Sequence, residues 1–195
     1  MEAKVQKQLI DYFSYFDEFH STVNISLNDC QKRAASINTL IKRCKSIKQA
    51  DVTETPLEQF EGLQSRLCAS IHNLISEDAV EIRNKLCILE ESFEKLCHKN
   101  KVLRDSCREN NFDENSVLVR GTPFQPPLKQ LLEYADDTIT FGSQVCAQIE
   151  TSLNVLSFKE LNTEHLGDNF QFPKEWRRRI PEILTYTAFL SDNLI

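Results

Sequence analysis

LKQLLEYADDTITFGSQVCAQIETSLNVL, residues 128–156, carries Leu128, Leu132, Ala135, Ile139, Gly142, Cys146, Ile149, Leu153 and Leu156 in steps of three and four. Such steps return to one side of a 3.6-residue turn, so the stretch predicts a single helix with an apolar seam sustained over four heptads. Unbroken, it would run roughly 45 Å at a rise of about 1.5 Å per residue, and a helix that long needs long partners. Gly142 costs about 1 kcal/mol relative to alanine inside a helix, so it marks a place where another backbone approaches closely.

The partners are sought upstream. Leu27, Cys30, Ala34, Ile37, Ile41 and Cys44 keep the same alternation, widened by Leu40 and Ile47. Val5, Leu9, Tyr12, Phe13, Phe16 and Phe19 repeat the spacing with aromatic filling, which suits a wide gap between several helices and predicts a separate or kinked helix. Thr55-Pro56-Leu57-Glu58 has the form of a capping box with proline at the first helical position. It announces a third helix with the seam Leu57, Phe60, Leu67, Ile71, Leu74. Ser76-Glu77-Asp78 offers a further cap. A fourth helix follows with Ala79, Ile82, Leu86, Leu89, Phe93, Leu96, Leu103 and Cys107, interrupted at a seam position by Asn100, which predicts a register-setting polar residue.

Composition supports helices throughout. The 195 residues include only four glycines and six prolines, and strand-rich folds spend both at every turn. Half of the prolines fall in Glu109 to Pro127, which has no period. The expected organisation is 1–108, an N-terminal segment of antiparallel helices; 109–127, an irregular linker; and 128–195, the long helix followed by a C-terminal element and a terminal helix. The fold class expected is all-α, an elongated helical bundle completed by a helical partner.

Function classes narrow by exclusion. Acidic residues outnumber basic ones, 29 to 23, for a formal charge of -6, whereas nucleic-acid domains neutralise phosphate with a basic surface. No direct nucleic-acid binding is expected. The seven cysteines have no C-x2-4-C clip, and the neighbours Cys97 and His98 point about 100° apart on a helix, so no metal site is expected and the thiols read as reduced and packed. No eighteen consecutive apolar residues occur and the first residues lack a long apolar run, so a membrane span and a standard export signal are not expected. Walker, dinucleotide, nucleophile-elbow and zincin motifs are all missing. The pairs Asp136-Asp137 and Glu90-Glu91 splay apart on helices, and the four histidines share no spacing. No catalytic residue, cofactor or metal ligand is assigned.

The end of the chain has a different texture. Ser157-Phe158-Lys159-Glu160 resembles a capping box, Leu166-Gly167-Asp168 a turn, and Pro181 the start of a final apolar helix. In FQFPKEWRRRI, residues 170–180, the arginines fan over roughly 200° and make no single phosphate-binding face. They read as surface charge or a handle for an acidic partner. Trp176 reads as a packing anchor, placed by Pro173 against Phe170 or Phe172. The seam residues Leu128, Leu132, Ile139, Gly142 and Ile149, together with Trp176, are the candidate partner-binding positions.

The order of these features resembles one family. Asp29-Cys30-Gln31 enters an early heptad helix, a proline-bearing linker precedes the long helix, and Pro173-Lys174-x-Trp176 leads to a terminal apolar helix. This resembles the ribosome maturation factors that interact with AFG-type AAA ATPases. The resemblance implies a non-enzymatic adaptor, cytoplasmic and nuclear, paired with a small helical cyclin-dependent-kinase-interacting protein. It implies a hexameric AAA ATPase that recycles shuttling factors from precursors of the 60S subunit, so that association with those particles is indirect. The heptads by themselves support a structural coiled-coil scaffold or tether of the cytoskeletal or kinetochore type equally well.

Overall fold

The computed structural model describes residues 2–157 and 166–190, with the side chains of 156 and 157 outside the description. Among the described residues there are five α-helices: α1 (Glu2–Gln49), α2 (Leu63–Glu109), α3 (Val117–Arg120), α4 (Leu128–Ser157) and α5 (Trp176–Thr187). Short 3-10 turns span Leu166–Phe170 and Ala188–Leu190. Extended pairing among the described residues is limited to one isolated bridge between Thr122 and Gln125, so the chain is all-α as expected.

Two expected helices prove to be one. The aromatic stretch and the heptad stretch form the continuous α1, because Val23 and Ser26 are also buried and carry the apolar face across the gap between Phe19 and Leu27. Two steps of four, 19 to 23 and 23 to 27, shift the phase without needing a kink. The third and fourth expected helices likewise merge into α2. Ser76 does not cap: its hydroxyl donates to the His72 carbonyl one turn back at 2.9 Å, inside a helix that continues.

The capping box at Thr55 does not start a helix either. Its contacts form in part, for the Thr55 hydroxyl accepts from the Leu57 N–H at 3.3 Å and the Glu58 carboxylate from the Glu54 N–H at 3.1 Å. Residues 53–62 are instead a run of turns, and α2 begins after Gly62, which holds the left-handed φ of 67°. Leu57 and Phe60 are exposed, so no burial offsets the cost of nucleating an extra helical turn.

Packing divides the chain into two units, with α1, α2 and α4 contributing to each. One unit is Met1–Ile25, Ile88–Ala147 and Phe172–Ile195. Within it Lys99 of α2 pairs with Asp11 of α1 at 2.6 Å and lies over the Tyr15 ring. The connection before α4 holds the short α3, capped by the Ser116 hydroxyl, which accepts from the Val119 N–H at 3.2 Å. The other unit is Ser26–Cys87 and Gln148–Gln171. Here Arg33 joins Asp78 at 2.9 Å and Glu81 at 3.4 Å, and Lys85 joins Asp29 at 3.0 Å. One cluster of its core is aliphatic and sulfur-bearing: Cys44, Cys68 and Ile71, with Leu40, Ile47 and Ile75 packed against them; Phe170 is buried in the same unit. Burial pushes the Cys30 thiol up to about 11, so it stays protonated and inert near neutral pH.

Candidate functional site

Of the candidate positions on α4 and α5, Ile149 belongs to the other unit, while Gly142 and Trp176 lie at an aromatic layer of the first unit. Phe141 stands at its centre, fully buried, with ring centroids 5.2 Å from Phe172 and 5.9 Å from Trp176, the latter edge-to-face. Phe16 and Phe19 approach it edge-on, each at 6.5 Å. The Trp176 indole N–H donates to Gln144, which satisfies its one polar atom on the way into the core. Trp176 thus packs on Phe141 of α4, where the sequence pointed to Phe170 or Phe172.

Gly142 is buried in the same layer. A β-carbon there would fall 2.5 Å from the Phe93 ring and 3.2 Å from Phe19, so the missing side chain admits aromatic rings, where the sequence pointed to a second backbone. His20 edges the layer against Phe172 at 6.0 Å, with Asn24 beside its Nε2 at 3.1 Å. Burial holds its pKa below the ordinary histidine value, against the opposing pull of Asp17. Tyr12 is fully buried, with its hydroxyl 3.1 Å from the Ala135 carbonyl and in contact with the Thr138 hydroxyl. Burial raises its pKa above the ordinary tyrosine value, so it serves as a neutral hydrogen-bonding group.

The buried face of α4 runs one residue earlier than the expected seam. Leu131, Tyr134, Thr138, Phe141 and Val145 are fully buried, while Leu132, Ile139 and Cys146 are only half-buried. Leu128, Ala135, Gly142, Ile149 and Leu153 are buried as well, so the helix is covered over a broad arc. The missed column has the same three-four spacing; a polar threonine at its midpoint concealed it.

The arginines also differ from one another. Arg177 and Arg178 are exposed, as expected. Arg179 pairs with Asp137 at 2.6 Å and Glu182 at 3.2 Å, and its guanidinium lies 4.8 Å over the Tyr134 ring, so it ties α5 to α4. Helix α5 begins at Trp176, not at Pro181, which lies on the exposed side of its interior. Trp176, Ile180, Ile183 and Thr187 form a buried face at steps of four, three and four, and that burial overrides the backbone donor that proline removes. The box at residues 157–160 falls outside the described residues, and Leu166–Phe170 is a 3-10 turn.

A second surface belongs to the other unit. Of the expected third seam only Ile71 is buried; Leu57, Phe60, Leu67 and Leu74 are 49, 49, 43 and 45% exposed. Beside Leu74 a groove lies between α1 and α2, lined by Leu40 and Val80 and by Glu77, Asp78 and Glu81, with Arg33 as its cation.

Asn100, expected to set register, presents a buried Oδ1 without a hydrogen-bond partner among the described residues. The same residues hold no cluster of three or more potential metal ligands and no helix long and apolar enough to cross a membrane.

Residues 3–194 match the family described as ribosome biogenesis protein C1orf109-like. The chain belongs to that family. A Danio rerio protein named AFG2-interacting ribosome maturation factor is 23% identical over 151 residues, covering 76% of this chain and 72% of the zebrafish protein. The resemblance carried by the Pro-Lys-x-Trp element and the long helix is thereby established at the level of the family. In this C1orf109-like chain the candidate partner positions are of two kinds: Leu128, Gly142, Ile149 and Trp176 are buried within the chain, and Leu132 and Ile139 are half-buried at the margin of that packing. Of the large apolar side chains left in solvent, Leu57, Phe60, Leu67 and Leu74 belong to the seam that the sequence predicts for a third helix.

Proposed function

We propose that this chain is a non-enzymatic adaptor subunit of an AFG2-type AAA ATPase assembly acting in maturation of the 60S ribosomal subunit. In this reading it pairs with a second small helical protein. Together they sit on the hexameric ATPase, which recycles shuttling factors from 60S precursors in nucleus and cytoplasm. The observation that carries the reading is the match to a ribosome biogenesis family over residues 3–194, and the zebrafish relative's name supports the ATPase as partner. The exposed Leu67 and Leu74 on one face of α2 support a protein-binding role.

The test is reconstitution. Purified chain mixed with a purified AFG2-type ATPase should co-elute on gel filtration, and the chain alone should show no ATP turnover. Failure to co-elute in the presence and absence of nucleotide, or turnover that tracks with the purified chain through successive columns, overturns the reading.

A further inference from the structure

Cys44 is the last buried residue of α1 and Cys68 the first of α2. Each lies five residues from a helix end, Gln49 and Leu63, which is about one and a half turns. Both belong to the same packed unit. There the two side chains meet: the Cys68 thiol points at the Cys44 carbonyl, with its Sγ at 3.9 Å, and hydrogen-bonds the Cys44 thiol as well. Ile71 completes the buried cluster, with Leu40, Ile47 and Ile75 against it. Beyond this cluster the helix ends are tied by Gln64, whose side-chain amide donates to the carbonyls of Ile47 at 2.9 Å and Ala50 at 2.7 Å. The connection that follows is exposed at every position from 53 to 62. Terminal turns with so little cover open more readily than helix centres, and that opening gives a small solute a route to the sulfurs.

We propose that Cys44 and Cys68 are a redox-responsive dithiol, which a hydroperoxide closes into a disulfide that staples the end of α1 to the start of α2. Any cysteine at a seam position packs as a small hydrophobe, but two whose sulfurs touch across a helix pair can also be joined without moving the chain far. In the first step one thiolate attacks a peroxide oxygen, giving a sulfenic acid and hydroxide. In the second the other thiolate attacks that sulfur, the S–S bond forms, and a second hydroxide leaves. The two thiol protons and the two hydroxides make two waters, and the two electrons lost by sulfur reduce the peroxide. Burial, and then the neighbouring Cys68 thiol, push the Cys44 thiol above its ordinary value, so its thiolate is scarce near neutral pH. The link therefore forms slowly there and faster as pH rises. The two residues are 24 apart in the chain, so the bond closes a sizeable loop and restricts the unfolded state. The inference goes beyond the adaptor reading and stands independently of the ATPase.

The test treats the reduced full chain with hydrogen peroxide in native buffer, blocks the remaining thiols and digests with trypsin without reduction. The expected product is residues 44–45 joined to residues 67–83, lost on adding dithiothreitol. It should be at least about tenfold less abundant when oxidation is carried out in urea, where loop closure favours thiols closer in sequence, such as Cys97 with Cys107. Cys44→Ser should abolish the product, whereas Cys30→Ser, at a buried seam position of the same unit, and Cys87→Ser, at an exposed one, should leave it. Because the peptide is read from the unaltered chain, the test does not depend on how the variants fold. The oxidised chain should melt about 5 °C or more above the reduced chain, and the same treatment of Cys44→Ser should give no such rise. A chain whose exposed Cys87 is oxidised while Cys44 and Cys68 remain free, a native link from either of them to another cysteine, or a linked chain that melts lower than the reduced one would overturn the proposal.

Discussion

The two units bury different chemistry on the same helices. The first fills its interior with rings, Tyr12, Phe13, Phe16, Phe19, Tyr134, Phe141 and Trp176, and adds α5 as a cover. The second packs mainly smaller groups that suit a close helix pair, Ala34, Ile37, Ile41, Cys44, Cys68 and Ile71, with Phe170 as the one buried ring among its described residues, and leaves Leu67 and Leu74 beside them in water. Rings fill a wide space on several sides and bury large areas each, whereas a narrow aliphatic seam covers one stripe of each helix and strands its flanks. The difference teaches that equal heptad spacing does not mean equal coverage.

The comparison is broken most sharply by removing a ring. Phe141→Ala or Trp176→Ala should lower stability by about 3–5 kcal/mol, read by thermal or urea melting. A loss below about 1 kcal/mol would show that the aromatic layer is not what holds the first unit. Gly142→Ala comes next. Its β-carbon meets the Phe93 ring at 2.5 Å, so overpacking should cost about 1–3 kcal/mol, while a gain in stability from the better helix former would contradict the close approach of that ring.

Smaller effects sharpen the same contrast. Arg179→Gln removes an ion pair and a cation–π contact between α5 and α4, and should cost about 1 kcal/mol, against less than about 0.5 kcal/mol for Arg177→Gln with Arg178→Gln. Equal effects from the two variants would return the arginine run to plain surface charge. His20 adds a pH dependence to the first unit. Its folded pKa lies below the ordinary value of about 6.5, so the unfolded chain binds the proton more readily, and stability present above that pH should decline as pH falls through it. His20→Gln should flatten that part of a melting-temperature profile, and an unchanged slope would assign it to other groups. Least of all, Leu67→Ser and Leu74→Ser should shift stability by no more than about 0.5 kcal/mol each, because about half of each side chain is already in water. A loss of 2 kcal/mol or more, of the order of a core truncation, would mean that the row is packed within the chain.

Periodicity alone determined the all-α class, the buried stripe of α1 from Val5 to Cys44, and the stripe of α2 from Ile82 to Leu103, because every third or fourth residue must share a helix face whatever that face meets. The family resemblance rested on the order of features and on the Pro173-Lys174-x-Trp176 element, and not on periodicity. Helix ends were less legible. Thr55 and Ser76 have good capping side chains, but a cap is worth only about 1 kcal/mol and acts where burial already favours an end, as it does not at either position. Pro181 pointed to a helix start for a sound local reason, and the buried face from Trp176 to Thr187 overrode it. Tertiary structure alone decided which of two three-four columns of α4 faces inward, since Thr138 counts as polar until the Tyr12 hydroxyl is placed beside it. It alone decided that Arg179 differs from its two neighbours, and that the seam ending in Leu67 and Leu74 lacks a cover within the described residues. A sequence records which residues can lie on one face of a helix; what stands opposite that face is a property of the packed chain and of its partners.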